Sequence, residues 1–105
     1  MRHLLACMFL LAALPAWAAA PDGQTIAEQG NGHGAIACAA CHGQNYGGNP
    51  AIDAPALAGL PAATIEAKLA HFASGHNAMM TPVATALTPA EREAVAIYLA
   101  SRPKA

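Results

Sequence analysis

Apolar residues are distributed along this chain in short blocks, separated by stretches of glycine, proline and asparagine. The first block, Leu4 to Leu14, follows the short basic head Met1-Arg2-His3 and is 11 residues long. A bilayer-spanning helix takes about 20 residues, so this block is too short to cross. Pro15-Ala16-Trp17-Ala18 then offers small residues at an Ala-x-Ala site. The pattern predicts a secretory signal peptide over residues 1–18, cleaved after Ala18. Leu4-Leu5-Ala6-Cys7 looks like a lipoprotein box, but no hydrophobic region stands ahead of it. Cys7 is therefore read as a leader residue lost on export.

Beyond the leader, Pro21-Asp22-Gly23 reads as a flexible start, and Thr25 to Gln29 as a short helix anchored by Ile26. Gly30-Asn31-Gly32-His33-Gly34 breaks any helix and predicts tight turns. Ala35 to His42 is expected to be helical, ending at Gly43. Residues 44–54 form a loop rich in Gly, Asn and Pro, long enough to be functional or wrapped on a ligand. Pro61 opens a helix to about Ser74, with Ile65, Leu69 and Phe72 in one apolar stripe and Glu66, Lys68 and His71 off it. Thr88-Pro89-Ala90-Glu91 is a capping box whose helix runs to about Ser101. Ala94 or Val95, Tyr98 and Arg102 share one of its faces, with Tyr98 as a helix-helix packing residue. No convincing strand pattern occurs.

The chemistry concentrates in Cys38-Ala39-Ala40-Cys41-His42. Two cysteines one helical turn apart, followed directly by histidine, form the attachment pattern of a c-type haem. The spacing lets two thiols reach the two vinyl groups on one porphyrin edge while the imidazole projects over the iron. A thioredoxin-like Cys-x-x-Cys needs a strand-helix-strand setting. A structural zinc site needs four ligands, the fourth here being a scattered histidine. A plain disulfide leaves His42 idle.

Two later stretches bear on the same metal. Pro55-Ala56-Leu57-Ala58-Gly59-Leu60 places Pro55 where its carbonyl can take the second ring N–H of a ligating histidine. Leu57 stands where it can cover the ring, although a plain loop proline with an apolar neighbour fits the spacing equally. His76-Asn77-Ala78-Met79-Met80-Thr81-Pro82 reads as a loop in which three side chains could supply a ligand from the opposite side: Met79, Met80 and His76.

Charge changes the picture by exclusion. Loss of Arg2 with the leader leaves Lys68, Arg92, Arg102 and Lys104 against six acids. No basic patch suits nucleic acid, and no lysine-rich ring suits an acidic partner. A domain of this size buries a thin core, so a covalently held haem would supply much of its apolar packing.

In this order, Cys-Ala-Ala-Cys-His-Gly, Pro55-x-Leu57-x-Gly59, Met80, Leu87-Thr88 and the terminal Tyr98-Leu99-Ala100 resemble a class I c-type cytochrome of the small monohaem periplasmic type. The series is also similar to one half of the dihaem bacterial cytochromes c. The resemblance covers residues 24 to 102. It implies an all-α fold of three to five helices around one haem c, with residues 19–105 as the cytochrome c domain. It further implies Cys38 and Cys41 as thioether positions, His42 as proximal ligand, Pro55 as the carbonyl holding it, and Met80 as distal ligand. Where relatives often carry an aromatic residue this chain has Ile65, and where they often have arginine after Gly75 it has His76. The implied function is that of a soluble periplasmic electron carrier, not an enzyme, exchanging electrons with redox partner proteins. An alternative is the electron-accepting subunit of a periplasmic dehydrogenase. A ligand-binding or peroxidase-like haem protein with a labile distal position is a third reading. Neither nucleic acid nor stable membrane insertion after leader removal is expected.

Overall fold

Helix α1, Gly23–Gln29, starts earlier than its apolar anchor suggests, because Asp22 caps it. Asp22 Oδ1 accepts from the backbone N–H of Gln24 at 3.0 Å and of Thr25 at 3.3 Å. A bond from the Thr25 hydroxyl, with these two, holds the Asp22 carboxyl below its ordinary range. Pro21-Asp22-Gly23 is thus a helix start and not a flexible lead-in. The computed structural model describes residues 20–104; the signal-peptide reading of residues 1–18 lies outside them.

Four further helices follow: α2 (Cys38–His42), α3 (Ala62–Ala73), α4 (Met80–Thr85) and α5 (Pro89–Ala100). A 3₁₀ turn, Pro50–Ile52, interrupts the long loop after α2. Among the described residues the only extended pairing is an isolated bridge between Asn49 and Ala54. The fold is all-α, with five α-helices among the described residues, the upper end of the expected range.

Helix α5 is the hub, packing on α1 and α3, while α3 also packs on α4 and α1 on α2. Its start is the expected capping box: Glu91 N–H donates to Thr88 Oγ1 at 3.1 Å, and Thr88 N–H to Glu91 Oε1 at 2.9 Å. Of the residues expected on one face, Val95 is buried, Tyr98 is half-buried against the core and Arg102 is exposed; Ala96 and Leu99 are buried beside Val95. At Gly23 a Cβ would run into the Ala94 carbonyl oxygen, so α1 and α5 approach to backbone contact. Val95 and Leu99 lie with Ile26 and Ala27 in one buried cluster. Each fully buried aliphatic side chain there contributes about 2 kcal/mol of transfer free energy.

In α3 the expected stripe holds, with Ile65 and Leu69 buried and Phe72 half-buried. Two other expectations need correction. Ala35–Ala37 is not helical: Asn31 Oδ1 takes the Ala35 N–H, the Ala35 carbonyl takes the Asn31 N–H, and Ala37 is extended. Helix α4 begins inside the stretch read as a loop, because Asn77 caps it from outside. Asn77 Oδ1 accepts from Met79 N–H at 2.9 Å and Met80 N–H at 2.8 Å.

Candidate functional site

His42 ends α2 with its side chain buried, the only polar or charged residue of the buried set among the described residues. Its Nδ1 lies 2.8 Å from the Pro55 carbonyl oxygen. A carbonyl only accepts, so Nδ1 carries the proton and the lone pair is left on Nε2. That is the tautomer a metal-binding imidazole requires, with the second nitrogen anchored by the protein.

The loop between α2 and α3 makes this bond possible. Gly43 ends α2 at φ +95, its N–H bonded to the Ala39 carbonyl. Tyr46 N–H donates to Gly43 O at 3.0 Å, and Gly48 N–H to His42 O at 2.8 Å. Asn49 and Ala54 exchange two backbone bonds of 2.7 and 3.0 Å, closing the 3₁₀ turn and folding the second limb back. The Tyr46 carbonyl then accepts from both Leu57 N–H at 2.8 Å and Ala58 N–H at 3.1 Å. Gly59 N–H reaches the Leu99 carbonyl at 3.1 Å and ties the loop to α5. Pro55 itself is exposed; only its carbonyl is committed inward.

Cys38 and Cys41 are free thiols, both half-buried. Burial pushes the Cys38 thiol up to about 11, so it is protonated at neutral pH. A thioredoxin-like pair would need a lowered value, and none of the flanking elements is a strand. Among the described residues no three His, Cys, Asp or Glu side chains converge on one metal position.

Tyr46 was not anticipated from the sequence. It is among the largest fully buried side chains, at 2% exposure, and holds a left-handed backbone at φ +57. Its ring meets Tyr98 edge-to-face, centroids 6.0 Å apart. Its hydroxyl has no hydrogen-bond partner and is the one such buried atom among the described residues. Burial, then the nearby Tyr98, pushes the phenol above its ordinary value. The signal in the sequence was slight: one aromatic in a run of Gly, Asn and Gln. Tyr98, expected as a packing residue, also donates to Glu28 Oε2 at 3.3 Å, with the Arg102 guanidinium 5.5 Å from its ring centroid.

The two methionines diverge. Met79 is 68% exposed, while Met80, the first residue of α4, packs against the core cluster. His76 is exposed and stacks on His71, ring centroids 4.1 Å apart, and its Nδ1 lies 3.2 Å from the His71 carbonyl. His33 is exposed in its glycine turn.

These residues fit a covalently bound haem. Two unpaired thiols one turn apart and a buried imidazole with one nitrogen held and the other open form the donor set.

The family model described as cytochrome c oxidase, cbb3-type, subunit III matches residues 13–99. The thiosulfate dehydrogenase electron acceptor of Stutzerimonas stutzeri (strain A1501) is 43% identical over 89 residues, covering 82% of this chain and 41% of that protein. Its namesake in Thiomonas intermedia (strain K12) is 41% identical, over 93% of this chain and 43% of that protein. The chain therefore spans about two fifths of the curated relatives it matches. Among solved structures, the thiosulfate dehydrogenase TsdBA of Marichromatium purpuratum superposes with a TM-score of 0.76 at 38% identity, over 79% of this chain and 18% of that one. Reduced cytochrome c4 of Pseudomonas stutzeri gives 0.71 at 28% identity, over 77% and 46%. With its Cys38-x-x-Cys41-His42 attachment sequence for one haem c set in this five-helix fold, the chain belongs to the cytochrome c family that the subunit III model describes.

Proposed function

We propose that this chain is a soluble periplasmic electron carrier in which His42 and Met80 would hold the haem iron. The observation that carries the reading is the 2.8 Å bond from His42 Nδ1 to the Pro55 carbonyl, which orients a buried imidazole with its other nitrogen free. The cofactor supplies a one-electron ferrous/ferric couple, and a thioether ligand favours the ferrous side.

The chain's own residues do the remaining work. Cys38 and Cys41 hold the ring edge, so the cofactor does not exchange. Pro55 fixes the rotation and basicity of His42. Met80 is favoured over Met79 as the second ligand because it turns toward the core while Met79 faces solvent. Asn77 anchors the backbone of both through its side-chain oxygen. With His42 and Met80 both committed to the metal, the chain would leave no open position for substrate, which is a carrier's behaviour and not an enzyme's. No helix among the described residues is long and apolar enough to cross a membrane. Residues 1–18 act in this reading as the cleaved export signal.

A second reading draws on the relatives' names. Two proteins similar to this chain are called thiosulfate dehydrogenase electron acceptors, and a solved thiosulfate dehydrogenase contains a similar unit. In this reading the chain is the electron-accepting partner or subunit of such a dehydrogenase. Size-exclusion of the native protein distinguishes the two: co-elution with a larger enzyme favours the subunit, a small free species the carrier.

The ligand set is tested by absorption of the ferric protein. The near-infrared sulfur-to-iron band should vanish in Met80→Ala and persist in Met79→Ala. Reduced wild type should not take up carbon monoxide at neutral pH, and Met80→Ala should. Uptake by the wild type at neutral pH would sink the carrier reading.

A further inference from the structure

The chain holds Gly48 at φ +97, where its missing side chain makes room for the returning limb of the loop. A Cβ there would lie 2.9 Å from the Ala56 nitrogen, 3.0 Å from the Ala54 oxygen and 3.1 Å from the Pro55 carbonyl carbon. On its other side the Gly48 N–H donates to His42 O at 2.8 Å. One residue thus touches both partners of the His42–Pro55 bond, each through backbone atoms. The next residue, Asn49, is locked to Ala54 by two bonds. Pro55 cannot retreat from an added methyl without breaking that bridge.

We infer that Gly48 is a positioning residue for the axial histidine: by lacking a side chain it sets the His42–Pro55 hydrogen bond, and through it the haem's reduction potential. The inference rests on the reading of His42 as axial ligand. A hydrogen bond from the distant ring nitrogen to a carbonyl makes the ligating nitrogen more basic. A more basic ligand favours ferric iron. At 2.8 Å the bond is at the short end for N–H···O, so displacement of Pro55 weakens it. The ferrous state is then relatively favoured and the potential rises.

The test is redox titration of holo Gly48→Ala beside wild type, with proton exchange at His42 Nδ1 followed by NMR in the ferrous form. At a fixed solution potential the ferrous-to-ferric ratio should rise about threefold or more, tenfold being about 59 mV for one electron, and the Nδ1 proton should exchange faster. Gly32→Ala is the control. Gly32 also has positive φ, +76, but no atom lies within 4 Å of where its Cβ would stand, so this variant carries the backbone strain without the contact. Its potential should match wild type. Gly48→Asn brings the same Cβ with a residue that tolerates left-handed backbone, and should move the potential in the same direction.

A haem-bearing Gly48→Ala with wild-type potential and exchange overturns the inference. So does an equal shift in Gly32→Ala. If neither Gly48 variant matures while Gly32→Ala does, Gly48 serves folding alone and the inference also falls. Failure of the underlying reading looks different: wild type itself then lacks the His-ligated haem spectrum.

Discussion

The two sides of the site are built on different plans. On the His42 side, the loop that carries Pro55 is a lattice of backbone bonds: Gly48 to His42, Asn49 to Ala54 and back, Leu57 and Ala58 to Tyr46, Gly59 to Leu99. On the Met80 side the bonds converge on one residue, Asn77, whose side-chain oxygen takes the Met80 N–H and whose carbonyl takes the Thr81 N–H, while the Met80 side chain packs against the core. Backbone bonds within one loop need no cofactor to form. A methionine thioether has no comparable partner in the protein, and its anchoring depends on the helix start beneath it. In the proposed site, His42 is therefore the preset half and Met80 the adaptable half.

The largest break in that comparison comes from His42→Ala. Removing the proposed preset ligand should lower the yield of haem-bearing protein about tenfold or more, measured as haem absorbance per mole of purified chain. A yield near that of wild type would place the organising role elsewhere. Next in size is Asn77→Ala, which strips the acceptor from two N–H groups. Loss of such a cap costs about 1 kcal/mol, and here it should fall on the Met80 side alone. In a urea titration the near-infrared band should then disappear well before helix content does, while in wild type the two disappear closer together. Coincident loss in the variant would mean that both sides are equally rigid.

The smallest effect belongs to a residue on neither side. Glu91 is held below the ordinary carboxylate range, first by the Thr88 backbone bond and further by Asn31. A lowered folded value means that its contribution is present above the unfolded value and is lost as pH falls through the folded one. Glu91→Gln keeps the capping-box bond and removes the charge. It should cost about 0.5 kcal/mol near neutral pH, with wild type and variant converging in acid melts. The potential should not move, and a shift would couple this helix start to the site.

Much of the site was legible because its parts are local. The haem motif lies within five consecutive residues, and the Thr88–Glu91 box and the Ile65–Leu69 stripe are each written at a fixed spacing. The Pro55 carbonyl followed from the family resemblance, and the geometry places it on His42. What escaped was set by contacts distant in sequence. Asn31 stops a helix from starting at Ala35 and also bonds the Ala86 carbonyl at 2.8 Å, a link no local pattern encodes. Tyr46 sits in a polar run and is buried only because the loop closes on itself and Tyr98 covers it. The backbone-close crossing of α1 and α5 rests on Gly23 lying against Ala94, a contact far apart in the chain.

The seating of Gly23 against the Ala94 carbonyl has a consequence for the order of events in the protein's life. The first helix of the domain has its main partner in the last, so that crossing forms only after the final segment has been delivered. A newly made chain must pass through a stage in which α1 lacks that cover. During this stage Ile26 and Ala27 stand open to water, and the arrival of α5 shuts them in.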